Sequence, residues 1–229
     1  MRIERYSLIE GARQARGLAV IIDVFRAFSV AAYAFKQGAR EIVLVGEVAQ
    51  AFALKERFPD ALLVGEVGGQ PIEGFDLGNS PTEVARHDLR RRRLIQRTSA
   101  GTQGVVAARS ANQIVLGSLV CAEAIAVYAR RLNPEVVSLV AMGYGAHRTA
   151  EEDEACAELL SARLRGEPVD AHALIEPLGN PQAVAQFQAE RPGTPREDID
   201  YCLSLDRFSF VMPVAEEDGL LVARRVEVG

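Results

Sequence analysis

Leu18-Ala19-Val20-Ile21-Ile22-Asp23-Val24-Phe25-Arg26-Ala27 decides the architecture. Its first five residues are apolar without alternation, which predicts a strand buried on both faces, as in a parallel sheet. An Ala-rich stretch from about Ala27 to Gln37 follows and predicts a helix, with Gly38 suited to the position just past its end. Glu41 to Val45 predicts a second strand, Val48 to Arg57 a helix stopped before Pro59, and Ala61 to Val64 a third strand. This βαβαβ rhythm calls for parallel pairing with helical crossovers, an α/β fold.

The same alternation continues outward. Ser80-Pro81-Thr82-Glu83 is a capping box with proline at the first helical position. A strand over Leu94 to Arg97, a helix over Thr102 to Ser110 and a strand over Gln113 to Leu116 come next. A helix capped by Ser118 runs to about Arg131, then a strand over Glu135 to Met142 and a helix over Glu151 to Arg165. The last third differs. Asn180-Pro181 and Thr194-Pro195-Arg196-Glu197 predict helix starts. Ser209 to Pro213 and Leu220 to Val228 flank Glu216-Glu217-Asp218-Gly219 as an antiparallel C-terminal hairpin. No composition shift marks a boundary, so residues 1–229 read as a single unit.

The chain has 229 residues, 48% of them apolar, and a net charge of −5, which argues against a general nucleic-acid binder. No apolar run is long enough for a membrane span, and Met1 to Arg5 leads into no signal-peptide core. Cys121, Cys156 and Cys202 lie far apart without CxxC spacing, as expected of reduced, buried thiols in a cytoplasmic protein. His87, His147 and His172 form no zinc pair. His87 and His172 read as surface residues, His172 in a polar turn, while His147 beside Gly143-Tyr144-Gly145 stays open. A metal here would be a hard ion held by carboxylates.

Chemistry concentrates at successive strand ends. Asp23 ends a buried strand, where α/β sheets bind ligands, and Arg26 follows one helical turn on. A metal-holding carboxylate with a phosphate-binding arginine fits this segment; so does a helix cap with a surface ion-pair partner. The loop from Gly65 to Ser80 is long for an ordinary connection. Gly68-Gly69 allows close approach to a ligand, Glu66 and Asp76 offer hard oxygens, and Asn79-Ser80 lead into a helix N-terminus suited to anions. Phe75 and Leu77 would anchor such a loop. Thr98-Ser99-Ala100-Gly101-Thr102 repeats the pattern, with hydroxyls and a glycine at a helix start. Glu151-Glu152-Asp153-Glu154 suits a helix first turn on dipole grounds alone, and Glu152 or Asp153 would complete a metal site. Arg90 to Arg93 reads as a solvated turn. P-loop, dinucleotide-binding and nucleophile-elbow motifs are absent.

At these blocks the sequence resembles the 2-phosphosulfolactate phosphatase family. The matching segments are Ile22 to Ala27, Gly65 to Gly69, Ile72 to Pro81, Thr98 to Thr102, Gly117-Ser118 and Glu152 to Ala157. The resemblance implies a Mg²⁺-dependent phosphohydrolase of α/β/α type, with mostly parallel sheets flanked by helices in two lobes and the site between them. Its named reaction removes phosphate from 2-phosphosulfolactate, a step toward coenzyme M in methanogens. Where the family often has arginine this chain has Val67, and where it often has asparagine this chain has Ala100. A cation and an amide are thereby missing near an anionic substrate.

The expectation is hydrolysis of a small anionic phosphomonoester. Asp23, Arg26 and Glu66 would be catalytic. Gly68, Gly69, Asn79, Ser80, Thr98, Ser99, Gly101 and Thr102 would hold phosphate and substrate. Mg²⁺ would take two or three of Asp23, Glu66, Asp76, Glu152 and Asp153. Water and a carboxylate both remain open as the nucleophile, and homo-oligomerisation is left open. The rival from another class is a non-catalytic binder of a phosphorylated or sulfonated metabolite.

Overall fold

The computed structural model describes residues 1–228. In chain order the elements are β1 (Arg2–Ser7), α1 (Leu8–Gln14), β2 (Leu18–Ile22), α2 (Ala27–Lys36), β3 (Glu41–Val45), α3 (Val48–Arg57), β4 (Leu62–Val67) and β5 (Gln70–Pro71). There follow α4 (Pro81–Val84), β6 (Arg93–Arg97), α5 (Gly101–Ala107), β7 (Gln113–Gly117), α6 (Ala122–Leu132), β8 (Val136–Ala141) and α7 (Glu151–Arg165). The last third holds α8 (Ala171–Ile175), α9 (Pro181–Glu190), α10 (Glu197–Cys202), β9 (Phe210–Val211), β10 (Pro213–Glu217), β11 (Leu220–Ala223) and β12 (Val226–Glu227).

Ten strands join in the order β1-β8-β2-β7-β10-β11-β3-β6-β4-β5, and β9 pairs with β12 in a separate two-stranded sheet. The α/β fold with a mostly parallel sheet is as expected. One parallel block is β1-β8-β2-β7 and the other is β3-β6-β4. The hairpin β10–β11 runs antiparallel to both neighbours and joins the blocks. Its turn residues Asp218 and Gly219 both have positive φ, 50° and 75°, as a two-residue hairpin turn requires. The hairpin is therefore not a tail: it lies inside the main sheet.

The blocks fold toward one another. In a flat sheet, β2 and β6 would lie about 24 Å apart, with four strands between them. Yet the Gly101 amide, just beyond β6, donates to Asp23, just beyond β2, at 2.8 Å. The helix α2 packs between them. Ala27 to Phe35 are all buried, which matches a helix apolar on every side. Gln96 of β6 donates to the Ala27 carbonyl at 2.8 Å, tying the second block to its first turn.

Several local expectations change. Ser118 does not cap a helix; its hydroxyl bonds to Ser29 Oγ at 2.7 Å, and a 3-10 turn over Leu119–Cys121 precedes α6. Ser80 Oγ accepts from the Glu83 amide, but the Glu83 carboxylate accepts from Gly78 instead of closing the box. His172 lies in α8, capped by Asp170, not in a turn. The three cysteines are free and buried, and burial pushes their thiols up, so they behave as small hydrophobes.

Candidate active site

Asp23 leaves β2 with only 5% of its surface exposed. One carboxylate oxygen accepts from the Ala27 amide at 3.1 Å and the other from Gly101. A Cβ on Gly101 would sit 2.8 Å from that oxygen, so the approach requires glycine. Asp153, in the first turn of α7, accepts from Val24 at 2.7 Å and Gly143 at 2.8 Å, bracing the loops that leave β2 and β8.

The second block supplies the facing wall. Glu66 on β4 accepts from the Ser99 amide and the Gly69 amide, both at 2.6 Å, and from Ser99 Oγ at 3.1 Å. Ser99 Oγ in turn accepts from the Gly68 amide at 2.7 Å. Gly68 and Gly69 turn the chain with positive φ, 58° and 81°. A cavity of about 210 Å³ opens between the walls. Asp23, Arg26, Glu66, Gly68, Gly69, Asn79 and Ser99 line it, so half of the candidate residues named from the sequence meet at one cavity. Asn79 is 8% exposed and its Oδ1 has no hydrogen-bond partner among the described residues. A buried polar atom of this kind is costly unless a ligand or water meets it.

Arg26 lines the cavity, but its guanidinium is paired with Asp198 of α10 at 2.7 Å, with both side chains almost wholly inside. Ser80 Oγ donates to the same Asp198 at 2.6 Å, and the Thr82 amide also reaches it. Thr98 and Thr102 are turned inward. Each amide donates to the other's hydroxyl, at 2.8 and 3.1 Å, which staples the start of α5. Asp76 is not brought to the cavity. Its carboxylate accepts from the Leu63 amide at 2.8 Å and faces Lys55, fixing the loop along β4, where Leu77 is buried and Phe75 packs on Phe52. Glu152 lies in the adjoining groove, which shares Phe25, Tyr144 and Arg191 with the cavity.

Among the lining residues that carried no role in the sequence reading, three have polar side chains: Arg191, Tyr144 and His147. Arg191 follows α9 and reads there as an ordinary basic helix end. Asp198 reads as an ordinary first-turn acid. Glycine spacing around Tyr144 and His147 was the only signal for that pair.

The electrostatics favour proton or cation chemistry. Burial first, then the Glu66 charge, pushes Asp23 up to about 6, with amide donors and Arg191 acting against this. Burial pushes Glu152 up to about 7, with the Asp23 charge adding to it. Asp153 is also raised, by burial and by Asp23. A cation beside these carboxylates would offset the surplus negative charge. Among the described residues no three His, Cys, Asp or Glu side chains gather as a metal cluster. Mg²⁺ does not need one, since it keeps several waters and takes one or two carboxylates plus phosphate oxygens. Asp23 and Glu66 reach the cavity with lone pairs beyond those their amide donors use, so the donor chemistry fits such an ion.

A family model described as 2-phosphosulpholactate phosphatase matches residues 4–217. A Bacillus subtilis (strain 168) protein named "Probable 2-phosphosulfolactate phosphatase" is 36% identical over 211 residues, spanning 90% of this chain and 91% of its own. A protein of the same name from Carboxydothermus hydrogenoformans is 30% identical over 241 residues, spanning 97% of each. One from Deinococcus radiodurans is 42% identical over 127 residues, spanning 55% of this chain and 53% of its own.

Proposed function

The chain belongs to the 2-phosphosulfolactate phosphatase family of phosphoric monoester hydrolases, and on that premise we propose that it hydrolyses 2-phosphosulfolactate, or a related phospho-acid, with Mg²⁺. The products are sulfolactate and phosphate. The observation that carries this reading is the Asp23–Glu66 cavity at the meeting of the two blocks, which sets buried carboxylates beside an unspent Asn79 amide.

Asp23 and Glu66 are the residues that would hold the ion, with Glu152 beyond them in the adjoining groove. Bound there, Mg²⁺ supplies charge for the phosphoryl oxygens and acidity for a bound water. The Asn79 side-chain N–H is the donor offered to the phosphoryl oxygens, while the Ser99 hydroxyl is spent on Glu66 and holds that carboxylate in place. The Gly68-Gly69 turn lets backbone approach the substrate closely. Either of the two carboxylates, Asp23 or Glu66, where the ion engages only the other, would take the proton of the attacking water. A role for the product on the way to coenzyme M depends on the substrate being 2-phosphosulfolactate.

The test is phosphate release from 2-phosphosulfolactate and p-nitrophenyl phosphate, with Mg²⁺ or with EDTA. Release is expected to require Mg²⁺ and to fall about 10²- to 10⁴-fold in Asp23→Asn. Wild-type turnover in that variant removes Asp23 from the chemistry. No metal-dependent release from either ester leaves a non-catalytic binder as the reading.

A further inference from the structure

The cavity's uncommitted cation is not the expected one. Arg26 is neutralised by Asp198, 2.7 Å away and inside the fold. Arg191, from the end of α9, lines the same cavity with a side chain only 9% exposed. Among the described residues its guanidinium makes no hydrogen bond, and its one ion-pair contact is Glu190 at 3.5 Å. Leaving a desolvated guanidinium in this condition is costly.

Its orientation is nevertheless fixed. The guanidinium lies 4.7 Å from the Tyr144 ring centroid and 4.6 Å from that of Phe187. Aromatic stacking covers a guanidinium face and leaves the edge, with its fork of N–H donors, for a planar or trigonal anion. Across the cavity, a Cβ on Gly69 would come within 3.4 Å of Arg191 Cγ, so the arginine stem closes over the glycine turn. The two positions where the family often carries an extra donor do not replace it. Val67 is 45% exposed and does not line the cavity, and Ala100 lines it without a polar side chain.

We propose that Arg191 is the specificity-determining residue that binds the second acidic group of the substrate, the sulfonate or carboxylate remote from the phosphoryl group. This rests on the substrate reading above. A phospho-acid carries such a group and a simple aryl phosphate does not, so Arg191 separates the two classes. Bidentate pairing with a buried guanidinium gives both the affinity and the direction in which the acid must lie.

The experiment pairs kinetics with product binding. In Arg191→Gln, kcat/KM for 2-phosphosulfolactate is expected to fall about 10- to 100-fold, mainly through KM. The loss on p-nitrophenyl phosphate should be at least tenfold smaller, so the ratio of the two changes. Arg191→Lys keeps the charge without the planar fork and should fall between wild type and Arg191→Gln. Sulfolactate binding, measured by calorimetry, should weaken by the same factor as kcat/KM. Equal losses on both esters overturn the proposal, since Arg191 would then serve the phosphoryl group or the fold. So does sulfolactate binding that is absent from the wild type or unchanged in the variant. Should the wild type hydrolyse neither ester yet lose sulfolactate binding on substitution, the phosphatase reading falls while this assignment stands.

Discussion

Asp23 and Glu41 are two carboxylates buried at strand termini of opposite blocks, and they meet opposite electrostatic conditions. Both are about equally hidden, at 5% and 3% exposed. Glu41, at the start of β3, is met by three guanidinium groups, from Arg40 at 2.8 Å, Arg93 at 2.5 Å and Arg224 at 2.7 Å. Burial pushes its pKa up, but hydrogen bonds from Arg93 and Arg40 outweigh that and hold it below the usual range. Asp23 receives only amide donors, and burial together with Glu66 raises it to about 6. Exposed surface alone therefore does not mark the site: Asp23 lies deep, whereas the arginines around Glu41 reach solvent. What marks it is a carboxylate left without a cation of its own. Asp198 belongs with Glu41: it is 0% exposed and wholly committed to Arg26, Ser80 and Thr82.

The contrast can be broken at the compensated sites first. Asp198→Ala leaves the Arg26 guanidinium buried and unpaired, and should cost about 3–5 kcal/mol in urea unfolding. A loss below about 1 kcal/mol would show the pair to be idle. Glu41→Gln should cost less, about 1–3 kcal/mol, because its arginines can turn to solvent. Its turnover should stay at the wild-type level, in contrast with Asp23→Asn; a collapse of activity there would erase the distinction. The smallest effect is in acid. The folded pKa of Glu41 lies below its unfolded value of about 4.3. Below that value the unfolded chain binds the extra proton first, so the stabilisation is present above about pH 4.3 and is lost as pH falls through the folded pKa. The Tm of Glu41→Gln should therefore decline less steeply than wild type between about pH 5 and 3. Parallel curves would exclude this contribution.

Much of the fold was legible because the buried parallel strands are unbroken apolar runs and their helices carry ordinary start and stop residues. From β2 to α7 most elements lie within a few residues of expectation. The first strand escaped because Arg2–Ser7 is a charged edge strand with no fully buried residue. The place of β10–β11 also escaped. A hairpin is a local signal, whereas its pairing with Ile42 and Val115 is long-range and leaves no pattern in the sequence. The candidate cavity was legible at Asp23 just past β2, Glu66 near the end of β4, Ser99 just past β6 and Asn79 just before α4. It was not legible in α9 and α10, where Arg191 and Asp198 look like helix-terminal charges until tertiary packing turns them inward. Sequence also could not tell a hydroxyl offered to a ligand from one spent on its own turn, as at Thr98 and Thr102.

The central hairpin sets an order of events for the growing polypeptide. The strands β7 and β3 have no second neighbour in the sheet except β10 and β11, which are made after every strand of both parallel blocks. Until residues 213–223 clear the ribosome, each half-sheet carries an open edge, and the joined sheet around the cavity is incomplete. The stitch that joins the two halves is thus made after both of them, and vectorial synthesis delays their joining until the hairpin has emerged.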